Sequence, residues 1–364
     1  MSDRLLDRLL KALRIGRKVE TQMPARARVR GAVDHVILLD GTLATLDEGQ
    51  ETNIGRIYRT LQKSPATNLS LYYESGVQWR LWSDTANVAM GRGINRQIRR
   101  AYGWLASRYR PGDRIYLLGY SRGAYAVRSL AGILDQVGLL KSEAATERNV
   151  MQAYRHYQSA EISPVQAAFT RLHCHARIEV EVIGVFDTVK ALGVRLPFLW
   201  MWTEPQHDFH NHALSAVVRR GYQALALDET RSVFDPIIWD TSEGDWAGRI
   251  EQVWFRGAHG DVGGQLGGFD TARPLANIPL LWMLEKLEGA GLRLPSGWRL
   301  DLPFDPTVAS VGTTRGWGKA FLLRSRRQLG RDPSESIHPT THQTRRAQFW
   351  LRRLPSLRRA AGRN

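Results

Sequence analysis

From Val33 onward the chain alternates between short apolar runs that stop abruptly at polar or glycine residues and longer segments able to form helices. The runs are "VDHVILL", "NLSLYY", "RIYLLG", "RIEVEVIGVF" and "RIEQVWFRG". Their length and β-branched content predict strands, and their spacing predicts a doubly wound, mostly parallel α/β sheet with helices on both faces. After "RIYLLG", the residues Ala124, Val127, Leu130, Ala131 and Leu134 recur at helical spacing, which predicts a helix lying on that sheet. Further upstream, Leu5, Leu6, Leu9, Leu10 and Leu13 oppose Arg4, Arg8, Lys11, Arg14, Arg17 and Lys18, the pattern of a basic amphipathic helix. Residues 1–30 therefore read as an N-terminal arm and linker, 31–346 as the folded domain, and 347–364 as a basic, solvated tail.

Composition narrows the class. The chain has 364 residues, 43% of them hydrophobic, with 12 tryptophans, which is a folded chain rather than a disordered one. Its 51 Lys and Arg against 35 Asp and Glu give a formal charge of +16, favouring polyanions such as acidic lipid surfaces or nucleic acid. Cys174 stands alone, so no intrachain disulfide or thiolate metal cluster can form. No apolar run has membrane-spanning length and the N-terminus lacks a secretory signal pattern, so the expectation is a protein made in the cytoplasm, with peripheral membrane contact or signal-independent export open to it.

Ligands of open parallel sheets bind at the carboxyl ends of the strands, so the residues just after each run carry the chemistry. They are Asp40-Gly41-Thr42, Tyr120-Ser121-Arg122-Gly123, Asp187-Thr188 and Ala258-His259-Gly260-Asp261. A serine hydroxyl attacks only once a base takes its proton, and a histidine base needs a carboxylate to fix its tautomer. Ser121, Asp187 and His259 supply these groups at three strand ends. Gly119 and Gly123 flank the serine as the small residues of a sharp strand-to-helix turn. The N–H of Arg122 is one expected donor to a developing oxyanion, and the N–H of Gly41 or Thr42 the second, with the Asp40 side chain holding that loop. The same loop, "LLDGTLATLDE", resembles the opening of haloacid-dehalogenase-type phosphatases, but Leu38 occupies the position of their nucleophilic aspartate.

With these pieces in place, "LLDGT", "TNIGRIYRTL", "YYESGV", "GYSRGAYAVRSLAG", "GVFDTVKALG", "HNHALSAVVRRGYQALALDETRSVFDPIIW", "VWFRGAHGDVGG" and "IPLLWML" resemble, in order, an α/β-hydrolase-like family that includes the phospholipase catalytic domains of type VI secretion lipase effectors. The resemblance implies an α/β-hydrolase-like fold and an ester hydrolase with its triad on Ser121, Asp187 and His259. Phe186 stands where the family commonly has tryptophan, and Gly260 where serine is common.

The remaining features are expectations of lesser reach. Phe198, Trp200 and Trp202 form an inserted apolar segment expected to act as a lid over an acyl-binding cleft. Asp261 is expected to brace the histidine loop through backbone bonds, and His207, His210 and His212 lack the carboxylate framework of a metal site. No metal or cofactor is expected. The sequence reads as a serine hydrolase of carboxylic esters, most plausibly a phospholipase or lipase on glycerophospholipids; the alternative is a catalytically silent hydrolase-like scaffold binding nucleic acid or an acidic partner.

Overall fold

A computed structural model of the chain describes residues 19–22, 31–76, 92–159, 162–189, 213–242, 246–315 and 323–358. The expected lid residues Phe198, Trp200 and Trp202 and the amphipathic arm at residues 1–18 lie outside these. The apolar runs become β2 (Asp34–Leu39), β3 (Leu69–Glu74), β4 (Arg114–Tyr120), β5 (Val180–Phe186) and β7 (Ile250–Phe255). Three further strands join them: β1 (Val19–Gln22), β6 (Val218–Ala226) and β8 (Glu335–Ile337). The eight strands are ordered β1-β3-β2-β4-β5-β6-β7-β8, parallel throughout except where β1 pairs antiparallel with β3 at the edge.

The described helices are α1 (Asn53–Gln62), α2 (Arg92–Ala106), α3 (Arg122–Gln136), α4 (Glu147–Gln158), α5 (Pro164–His173), α6 (His259–Gly263), α7 (Arg273–Gly289) and α8 (Arg345–Arg353). Because side chains alternate across a strand, each central strand feeds two cores. Ile37, Leu39, Ile115, Leu117, Ile183 and Val185 pack with Ala101, Leu105, Val127 and Leu134 of α2 and α3. Val36, Leu38, Leu118, Val182 and Phe186 pack on the other face with Ile54, Ile57, Leu280 and Leu284 of α1 and α7. This is a doubly wound, mostly parallel α/β arrangement with helices on both faces of the sheet. No described helix is long and apolar enough to cross a membrane.

Two boundaries differ from the sequence reading. The linker assignment of residues 1–30 overlooks β1, whose Val19 to Gln22 extend the sheet. The tail assigned as solvated begins inside α8, and Ala347, Leu351 and Leu357 are buried against Leu225, Trp254 and Leu329. Arg352, Arg353 and Arg358 are exposed beside this narrow apolar seam, so the charge of the sequence conceals its packing.

Candidate active site

Among the described residues three non-glycine residues have positive φ: Leu43 at 60°, Ser121 at 56° and Asp187 at 43°. All three follow strand ends on the same edge of the sheet. Such backbone costs on the order of 1–3 kcal/mol per residue and persists where surrounding structure enforces it. At Ser121 the enforcement is visible. A Cβ on Gly119 would lie 2.6 Å from the Gly123 carbonyl oxygen, and one on Gly123 would overlap the Leu39 carbonyl, so the β4–α3 elbow closes only with glycine on both sides.

The elbow lifts the Ser121 hydroxyl to within 2.9 Å of His259 Nε2. On the other side of the ring, His259 Nδ1 lies 2.5 Å from Asp187 Oδ2. Ser121, Asp187 and His259, 66 and 72 positions apart along the chain, are thus one hydrogen-bonded line at the ends of β4, β5 and β7. Ser121 is 7% exposed, His259 5% and Asp187 0%, so all three are buried and Asp187 most completely. The imidazole is held edge and face. Phe234 stacks on it at 4.7 Å and 8°, the Tyr120 ring packs at 4.9 Å, and the backbone N–H of His259 donates to the Glu229 carboxylate. Arg231 caps the stack, its guanidinium 4.3 Å from the Phe234 ring centre, and forms a fork on Glu229.

Asp187 has a further partner that the sequence reading did not anticipate. Arg327 donates to Asp187 Oδ1 at 2.5 Å and to Oδ2 at 2.9 Å, and the Ala226 N–H donates to Oδ1 at 3.0 Å. Burial alone would push this carboxyl up; the Arg327 charge and the bonds from His259 and Arg327 override it and hold Asp187 well below the usual carboxylate range. Asp187 is therefore an anion at any physiological pH, able to orient the imidazole and stabilise its protonated form.

The loop after β2 stands across the serine. Asp40 accepts from Thr52 Oγ1 at 2.7 Å, from Tyr73 Oη at 2.8 Å and from the Gly41 N–H at 2.7 Å. The last bond engages the Gly41 N–H, one of the two donors that the sequence reading offered at this loop, with Asp40. Arg122 hydrogen-bonds Thr42 Oγ1 through its guanidinium, joining the loop to the start of α3. The N–H of Arg122 lies in the first turn of α3, where backbone donors have no intrahelical acceptor and the helix dipole favours negative charge. Asp261 accepts from the Ala258 N–H at 2.8 Å, the Val311 N–H at 2.8 Å and the Ser310 hydroxyl at 2.5 Å, tying the histidine turn to a later loop. Among the described residues no group of three or more His, Cys, Asp or Glu side chains could hold a metal ion.

Residues 34–286 match the family described as T6SS, phospholipase effector Tle1-like, catalytic domain. The chain belongs to this family. The Tle1-like match spans Ser121, Asp187, His259 and the groups around them except Arg327, Ser310 and Val311, and it makes the domain's class that of a lipase- or esterase-type hydrolase. Among relatives, an uncharacterised protein of Saccharomyces cerevisiae is 26% identical over a 225-residue alignment that covers 55% of this chain and 31% of the yeast protein. Two solved structures are similar at lower identity. An uncharacterised Pseudomonas aeruginosa protein is 17% identical over 75% of this chain and 49% of that one, with a TM-score of 0.42. The Tle1 effector bound to the VgrG spike of the type 6 secretion system is 15% identical over 68% of this chain and 57% of that one, with a TM-score of 0.35. The chain thus spans about a third to a little over half of these relatives' lengths. Of the residues around Ser121, His259 and Asp187, Glu229, Arg231 and Phe234 carried a signal in the "LDETRSVF" stretch, whose charges sit directly after β6; Arg327 carried none.

Proposed function

We propose that this Tle1-like domain is a serine ester hydrolase whose nucleophile is Ser121, whose base is His259 and whose orienting acid is Asp187. The observation that carries the reading is the unbroken Ser121–His259–Asp187 line on a strained elbow, with the anionic end fully buried. In the forward half-reaction His259 Nε2 takes the Ser121 proton as Oγ attacks the ester carbonyl. The N–H groups of Arg122 and Thr42 receive the oxyanion, and His259 returns the proton to the departing alkoxide, releasing an alcohol and leaving an acyl-serine. Water then repeats the sequence: His259 takes its proton, hydroxide attacks the acyl carbon, and the proton returns to Ser121 Oγ as the fatty acid leaves.

The substrate we propose is a glycerophospholipid. Family membership supports it, and the +16 charge would draw the domain to anionic bilayers. Vesicles of phosphatidylcholine with and without phosphatidylglycerol test this. Wild type should release fatty acid and lysolipid, faster with the anionic lipid and less so at high salt. Ser121→Ala should release neither. Equal release by both proteins would remove Ser121 from the mechanism, while hydrolysis of soluble esters without any release from vesicles would remove the phospholipid.

A further inference from the structure

The geometry points to Arg327 as the positioning residue of the triad: a fourth group, outside the family-matched segment, that fixes both oxygens of Asp187 and so sets how tightly His259 holds its proton. The inference rests on the triad reading above. Arg327 is 4% exposed, and its guanidinium also donates to the carbonyls of Ala226, at 2.9 Å, and Phe234. One side chain therefore ties the catalytic acid to the end of β6 and to the backbone of the ring that stacks on His259. A lysine could carry the charge but not this planar fork.

The chain around Arg327 is fixed on both sides. Before it, the Ser325 N–H donates to Thr230 O at 2.8 Å and the Ser232 N–H to Leu323 O at 3.1 Å, so this segment runs alongside the residues that follow β6. Behind it, Arg346 of α8 donates to Arg327 O at 3.2 Å, and Leu329 is buried with Ala347, Leu351 and Leu357. The C-terminal segment thus has a role at the site, since its packing holds Arg327 in place.

The charge arithmetic gives the consequence. Asp187 and Arg327 sum to zero, so a protonated His259 adds a net positive charge to a buried cluster. Without Arg327, the unbalanced Asp187 anion would hold the imidazolium more tightly. The other charged or titratable groups facing the cluster are Tyr120 from β4, Glu229 and Arg231 after β6, Asp228 and Asp261 around the histidine turn, and Arg346 from α8. Glu229 is balanced by Arg231 and Asp261 is spent on backbone and hydroxyl donors, which leaves Arg327 as the group in direct contact with the acid.

The test compares Arg327→Gln and Arg327→Lys with wild type on a soluble short-chain p-nitrophenyl ester. For Arg327→Gln, kcat should fall by about tenfold or more and the acidic limb of the kcat/KM profile should move up by roughly one pH unit. Arg327→Lys should keep the wild-type midpoint while losing kcat, because it keeps the charge without the fork. In the Ser121→Ala background, which needs no turnover, the downfield Nδ1–H resonance of His259 should change its shift, as the ring loses its Nε2 proton, at a higher pH when Arg327→Gln is added. A folded Arg327→Gln protein with wild-type kcat and midpoint would overturn the inference, as would an unmoved Nδ1–H titration. If Arg327→Gln does not fold, an Arg327→Lys midpoint displaced from wild type overturns it instead. Failure of the triad reading looks different: wild type would neither turn over the ester nor take a fluorophosphonate at Ser121.

Discussion

Asp40 and Asp187 are both fully buried carboxylates at strand ends on the same edge of the sheet, and their surroundings push them in opposite directions. Asp40 is held by neutral donors: a threonine, a tyrosine and a backbone N–H. These soften the cost of burial without cancelling it, and its pKa is pushed up to about 6. Asp187 meets a guanidinium fork and an imidazole, whose charge and hydrogen bonds outweigh burial and keep it anionic. Burial therefore does not decide whether a carboxylate is charged; the charge of its partners does. The difference matches the tasks proposed here, because a loop anchor works in either protonation state whereas an orienting acid must remain an anion.

Four perturbations break or sharpen this contrast. The largest expected effect is from Asp187→Asn, which strands the Arg327 charge and favours the wrong histidine tautomer. Steady-state kinetics should show kcat down by about 10⁴-fold, and urea melts a loss of roughly 3–5 kcal/mol. Gly123→Ala comes next. Its Cβ meets backbone rather than a movable side chain, so activity should be lost together with on the order of 2–4 kcal/mol of stability.

Asp40→Asn replaces one of the two oxygens that accept from Gly41, Thr52 and Tyr73 with an NH2 group that cannot accept. It should lower kcat by about ten- to a hundredfold through a loosened Thr42 donor, with little change in KM for a soluble ester. The smallest effect, and the most discriminating, lies in stability against pH. Asp40 binds its proton more tightly when folded, so its contribution is full below about pH 4 and is lost as pH rises through about 6. Asp187 behaves oppositely: its contribution is present above about pH 4 and is lost as pH falls below that. Urea midpoints across pH 3–8 should lose the first slope in Asp40→Asn and the second in Asp187→Asn, and a shared slope in both variants would erase the contrast.

The sequence made the proposed triad legible because each member follows an apolar run, a local signal that needs no knowledge of the fold. It assigned Gly41 and Thr42 equally as donors, since only the Asp40 rotamer distinguishes them. β6 escaped because Arg219, Arg220 and Gln223 interrupt its apolar pattern; the Gln223 side chain is nonetheless buried, donating to Ile237 O at 2.9 Å. Arg327 was invisible for a stronger reason. It sits in "RSRRQ" beside Arg324 and Arg326, and what sets it apart is a contact 140 positions back along the chain.

The central claim, that Ser121 is a nucleophile activated by His259, is tested most directly by a fluorophosphonate and intact-protein mass measurement with peptide mapping. The account predicts one adduct per chain on Ser121 of wild type, formed far more slowly in a His259→Ala variant and absent from Ser121→Ala. Folded wild-type protein that takes no adduct, or a Ser121→Ala variant that takes as much, would contradict it.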